Sequence, residues 1–161
     1  MFKLLQKMRK FLIPVLSIFL FSFTSASKFS YSVECSDVNS DGTITLKIWN
    51  AKKGKEYKAH QASINAVHCI LYSGISSNGC GNQNPLLNND ETIAKFEKAN
   101  PDFFQKSGDY GKYISTSSVA TAIPSTIRDK SWKVYEVVVN KKQLEKYLAN
   151  KQIKKTLNNG F

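Results

Sequence analysis

The chain has 161 residues, of which 42% are hydrophobic, and it carries 23 Lys and Arg against 12 Asp and Glu, a formal charge of +11. That length allows one domain around one core and sets aside a multidomain enzyme. The positive balance favours contact with anionic material such as lipid head groups, acidic polysaccharide or nucleic acid, although the same charge also serves solubility.

Residues 1–27 read as an export signal. Lys3, Lys7, Arg9 and Lys10 precede the apolar run FLIPVLSIFLF, and the small-residue stretch TSAS follows it. The apolar run is eleven residues long and contains Pro14, short of the roughly 20 needed to span a bilayer, so a retained anchor is the weaker alternative. Cys35 follows SVE rather than the small residue that a lipid-anchoring cysteine needs. The expectation is a soluble exported protein, periplasmic or secreted, with no transmembrane helix after cleavage. Residues 28–161 then form a single domain. The four positive charges of the leader go with it and leave a formal +7.

Next in order, KFSYSVECSDV reads as a strand or a leading arm, and NSDG as a turn. TITLKIW, 43–49, alternates with Ile44, Leu46 and Ile48 on one face, which predicts a strand. A basic connection, NAKKGKEYK, leads to a helix over 56–73. On its wheel Ala59, Ala62, Ala66, Cys69, Ile70 and Ser73 form one narrow stripe with Ile64, Val67 and Leu71 beside it. His68 falls on the polar side with Gln61, Asn65 and Tyr72. Small side chains along the stripe suit close packing on a sheet.

The segment 75–110 reads as a polar loop with short helices. Asn88 and Glu91 have capping-box spacing, and Asn100, Pro101 and Gly108 mark a second helix with its stop. A strand is expected over 112–118 and the strongest one over WKVYEVVVN, 132–140, with apolar residues on both faces and hence a central place in the sheet. Asn140 caps a last helix, 141–157, which lays Leu144, Tyr147 and Leu148 on the sheet. The fold class is therefore α+β: a single domain with an antiparallel or mixed sheet and helices packed mainly on one face.

Three cysteines, Cys35, Cys69 and Cys80, allow one intramolecular disulfide, and none makes a C-x-x-C pair. The short Gly-containing link favours Cys69 with Cys80, with three unpaired thiols as the alternative. For nucleophilic catalysis the best pair is Cys80 with His68, because His68 and Cys69 are consecutive on a helix and do not face one another. His60 and His68 lie eight residues apart, about 80° around a helix and over two turns along it, which does not suit one metal ion. Glu91, Asp102 and Asp109 have local explanations in caps and turns. No phosphate loop or nucleophile elbow occurs, and no metal or other cofactor is expected. Lys47, Trp49, Lys133 and Tyr135 would make a nucleic-acid surface if their strands were neighbours, but the same pattern describes an ordinary half-solvated sheet, so a nucleic-acid partner is not expected. Anionic-surface contacts are expected from Lys52, Lys53, Lys55, Lys58, Lys141 and Lys142.

HQASINAVHCILYSGI, PDFFQKSGDYGKYI, KVYEVVVNKKQLEKYL and the terminal NNGF occur in an order that resembles a family of small exported proteins from Gram-negative bacteria of the Bacteroidota type. The resemblance covers about 55–161 and its motifs are structural, so it implies no catalytic or ligand residues. A fainter similarity, in pattern alone, is to exported lipoprotein and flagellar accessory domains, which implies a part in envelope assembly. The functional expectation is a non-catalytic envelope or secreted binding module, with an envelope protein or an anionic surface component as partner. The alternatives are a small envelope hydrolase or transferase using the loop around Cys80, and a purely electrostatic binder of anionic lipid or polysaccharide.

Overall fold

The alternation in 43–49 builds the sheet. In the computed structural model, which describes residues 29–77 and 80–154, β1 (Ser32–Val38) and β2 (Thr43–Trp49) form an antiparallel hairpin. The expected export signal and residues 155–157 of the expected last helix lie outside the described residues. The hairpin turn is fixed by Asp41, whose Oδ1 accepts from the backbone N–H and the hydroxyl of Thr43, each at 2.8 Å. Gly42 sits at φ +89°, and a Cβ there would come within 2.7 Å of the Lys142 Cβ.

Ile44, Leu46 and Ile48 are fully buried and face Val139, Val137 and Tyr135 of β6 (Tyr135–Asn140) in antiparallel register. Residues directly opposite share a face, so the two strands present one apolar surface. β5 (Ile114–Val119) pairs with the other side of β6, giving an antiparallel four-stranded sheet of order β1-β2-β6-β5. β6 is central, as expected, but only one of its faces is fully covered: Glu136, Val138 and Asn140 are half-buried.

That covered face receives α1 (Ala59–His68), which continues as a π-helical turn over Cys69–Ser73. Ala62, Ala66 and Cys69 are completely buried. The carbonyls of Ile70 and Leu71 are met by the N–H groups of Leu86 and Leu87, at 3.0 and 2.8 Å, so the widened turn leaves those acceptors satisfied. Gly74 closes it at φ +67°, where a Cβ would lie 2.5 Å from the Gln83 carbonyl oxygen. A short hairpin, β3 (Ile75–Ser77) with β4 (Gly81–Gln83), follows.

α2 (Asp90–Ala99) is capped by Asn89 rather than Asn88: its side chain accepts from the Thr92 N–H at 2.9 Å. Residues 101–108 form turns instead of the expected second helix, because Phe103 is drawn into the core against Phe96, with ring centroids 4.9 Å apart. The helix expected from 56 starts at Ala59, after a 3₁₀ turn over Gly54–Glu56 and an extended Tyr57. The strand expected from 132 starts at Tyr135, since Trp132 joins a separate small cluster with Trp49, Ala120, Ile123, Ile127 and Val134. α3 (Lys141–Asn150), capped by Asn140, buries Leu144 and Leu148 completely and ends sooner than the expected 157, with 151–154 in turns and bends. The architecture is a single α+β domain with its helices on one face of an antiparallel sheet.

The disulfide expectation is corrected. Cys80 is joined to Cys35 of β1, with Cα atoms 5.8 Å apart, while Cys69 is a buried free thiol. Cys69 belongs to the packing stripe of α1 and its π-helical extension and donates to the Gly74 carbonyl at 3.2 Å, whereas the β3–β4 hairpin lies against β1 and carries Cys80 there. Closing a loop across a sequence separation of 45 constrains the unfolded chain by about 4 kcal/mol in the chain-entropy treatment. The Cys35→Ser/Cys80→Ser protein is therefore expected to lose about 3 to 4 kcal/mol in urea denaturation, while Cys69→Ala should still form the disulfide. Loss of the disulfide in Cys69→Ala protein, read by thiol titration, would contradict this pairing.

Candidate functional site

The buried stripe of α1 leaves its other side, Gln61, Ile64, Asn65, His68 and then Tyr72, looking away from the sheet at helical spacing. Two further segments close on this side: the arm Phe29–Tyr31 that leads into β1, and the turn carrying Phe104. The Phe29 ring stacks on His68 with centroids 3.8 Å apart and meets Phe104 edge-on at 5.4 Å. Tyr72 also stacks on His68, at 4.9 Å.

Two hollows flank the Phe29 and Phe104 rings. One, of about 350 Å³, is lined by Phe29, Ile64, Phe104, Gln61, Asn65 and Tyr57, with Ser30, Asn50, Lys52 and Lys53 at its edge. The other, of about 470 Å³, is lined by Phe29, His68, Tyr72, Phe96, Glu97 and Asn100 among others.

Asn50 positions the first hollow. It is buried, its Oδ1 accepts from the backbone N–H groups of Lys52 and Lys53 at 2.9 and 3.1 Å, and its Nδ2 donates to the Ser30 carbonyl. One amide thus ties the lysine turn to the arm that bears Phe29. On the floor the Asn65 Nδ2 donates to the Tyr57 hydroxyl at 2.7 Å, and the Tyr135 hydroxyl donates to the Tyr57 carbonyl at 3.2 Å. Burial pushes the Tyr57 hydroxyl well above the ordinary tyrosine range, so it stays a neutral hydrogen-bonding group.

His68 is held by its neighbours instead of working on a cysteine. Its Nδ1 lies 2.8 Å from the Tyr31 hydroxyl, and burial lowers its pKa from 6.5 to about 4. Burial likewise raises the Tyr31 hydroxyl, which keeps it protonated, so we assign the hydroxyl as donor to a neutral imidazole. Cys80, the other half of the expected pair, has no thiol because of its bond to Cys35. Cys69 is buried and pushed up to about 11, a poor nucleophile. The acidic candidates have local partners: Glu91 pairs with Lys95 at 2.6 Å, Asp109 with Lys112 at 2.7 Å, and Asp102 accepts from the Gln105 side chain. Among the described residues no three His, Cys, Asp or Glu side chains converge as a metal-binding group.

The six lysines singled out in the sequence divide into two groups. Lys52, Lys53 and Lys58 line a shallow depression with Glu56, His60 and Gln61, next to the first hollow, and Lys55 stands on the same connection, close enough to Asp129 to help lower its pKa. Lys142 is instead at the β1–β2 turn, its N–H donating to the Gly42 carbonyl at 3.1 Å, and its neighbour Lys141 donates to Gln83 Oε1 of β4 at 2.8 Å. These groups flank opposite ends of the seven-residue β2, roughly 20 Å apart. The nucleic-acid surface considered above does not assemble, because Tyr135 faces the core and Trp49 packs with Trp132. Sequence reading missed Phe29, Asn50 and Phe104; the polar side of α1 was visible, but what closes on it was not.

Compared with protein-family models, curated proteins and solved structures, the chain matches none. Among the described residues no helix is long and apolar enough to cross a membrane.

Because His68 binds its proton less readily when folded, the unfolded chain protonates first as pH falls. The stability it contributes at neutral pH is lost between about pH 6.5 and pH 4. Urea midpoints at pH 7, 5.5 and 4 are expected to fall more steeply for the native protein than for His68→Phe. Identical slopes would show that the imidazole is not buried neutral.

Proposed function

We propose that this is an exported, non-catalytic binding module that engages an anionic surface component of the envelope or its surroundings. The observation that carries the reading is the placement of Lys52 and Lys53, fixed through Asn50, in the lining of a hollow shared with Phe29, Phe104, Ile64 and Asn65. Such a site offers ring and aliphatic surface for contact, amides for orientation and two ammonium groups for charge, the composition of a small-ligand site. A disulfide between Cys35 and Cys80 fits an oxidising compartment. The same bond, with the local pairing of Glu91, Asp102 and Asp109, weighs against the hydrolase or transferase alternative.

The two lysine groups stand at opposite ends of β2, so the contribution of each to binding can be read separately. Binding of the purified protein to the envelope fraction of its own organism is expected to weaken between about 0.05 and 0.3 M salt, as ion pairing at a surface must. It should drop at least fivefold in Lys52→Gln/Lys53→Gln and change little in Lys141→Gln/Lys142→Gln. Equal losses from both pairs, or binding indifferent to salt, would remove the cleft from the reading.

A further inference from the structure

The neutral groups in the hollow narrow the ligand class beyond its charge. Resting on the binding reading above, we propose that the hollow beside α1 is a site for a saccharide bearing an anionic group, a uronate or a sulfated sugar. The Phe29 and Phe104 rings supply the apolar faces on which the C–H side of a sugar ring packs. The Gln61 and Asn65 amides sit one helical turn apart on α1, the spacing that puts both on one face. Asn65 already spends its Nδ2 on Tyr57, while the Gln61 side chain has no partner among the described residues. Amides of this kind donate and accept at once, which matches hydroxyl groups and matches nothing on an acyl chain.

Lys52 and Lys53 then meet the anionic substituent from the edge. Both are exposed, and their backbone is held by Asn50, so their stems start from a fixed point while their ammonium groups reach freely. A volume of about 350 Å³ lies at the lower end of small-ligand sites, enough for one or two sugar rings. An acidic peptide would satisfy the lysines, but it presents no flat ring to Phe29 and Phe104 and no dense hydroxyl set to the two amides.

The test is calorimetry or NMR titration with protein purified after expression of the full chain. The probes are trigalacturonate, a carrageenan tetrasaccharide, neutral galactotriose and hexaglutamate. At least one anionic saccharide is expected to bind tenfold or more tightly than both galactotriose and hexaglutamate. Gln61→Ala and Phe104→Ala should each weaken that binding at least fivefold. Gln61→Ala keeps the question open to test if Phe104→Ala fails to fold, since the Gln61 side chain makes no hydrogen bond among the described residues. Which anionic saccharide binds separates uronate from sulfate. Hexaglutamate binding as tightly as the saccharides, saccharide binding unmoved by Gln61→Ala, or no binding of either anionic saccharide overturns the proposal. If salt-sensitive envelope binding through Lys52 and Lys53 persists in that case, the ligand class alone is wrong; if it is also absent, the binding reading falls with it.

Discussion

The close seating of α1 on β5, β6 and β2 is the contact on which the rest of the molecule depends. Ala62, Ala66 and Cys69 are fully buried there although they have little side chain to bury. Their hydrophobic contribution is small beside that of Ile44, Leu46, Ile48, Leu71 or Val137, each of which is worth about 1.5 to 3 kcal/mol when taken from water. What the small residues provide is distance: the helix backbone comes down onto the sheet without a gap, and interiors do not tolerate gaps cheaply. Once that height and rotation are fixed, Gln61, Asn65, His68 and Tyr72 have no choice of direction. They face away from the sheet, and the hollows form around them.

The segments that complete the site are fastened by polar and covalent ties of long range. Asn50 joins the arm at Ser30 to the lysine turn, Tyr57 joins α1 to β6 through Asn65 and Tyr135, and Cys35 joins β1 to the β3–β4 hairpin. The Ser30–Asn50, Tyr57–Tyr135 and Cys35–Cys80 ties span 20, 78 and 45 residues, and the hydrogen bonds among them are buried or half-buried, where a lost hydrogen bond costs more than at the surface. The π-helical turn at Cys69–Ser73 is another such compromise. It widens the helix end, and Leu86 and Leu87 approach from a separate loop to satisfy Ile70 and Leu71. The hollow therefore has walls drawn from several places in the chain and a floor that is one rigid helix.

Legibility in the sequence followed the range of the cause. Period-two alternation in 43–49 and the capped helix after Asn140 arise between near neighbours, and both were readable. The α1 stripe was readable for the same reason. The second helix at 101–108 was not, because its capping residues were present but a tertiary demand, the burial of Phe103 between Phe96 and the distant Tyr147 of α3, bent the backbone into turns. The cysteine pairing failed in the same way. A short link made Cys69 and Cys80 look close, yet the helix stripe claimed Cys69 and the hairpin delivered Cys80 to a strand 45 residues earlier. Sequence proximity could not anticipate either competition.

By itself the sequence determined the α+β class, the central β6 strand, the polar side of α1 and the two concentrations of lysine, since each follows from local periodicity or composition. Only the tertiary structure decided that Lys52 and Lys53 stand at a hollow while Lys141 and Lys142 stand at the far end of β2. It also placed Phe29 and Phe104 over α1, gave Cys80 its partner, and set His68 in an aromatic stack instead of beside a nucleophile. The physical reason is that a site is a meeting of surfaces. Local sequence fixes which face of each element is apolar, but which faces meet depends on how all of them share one core.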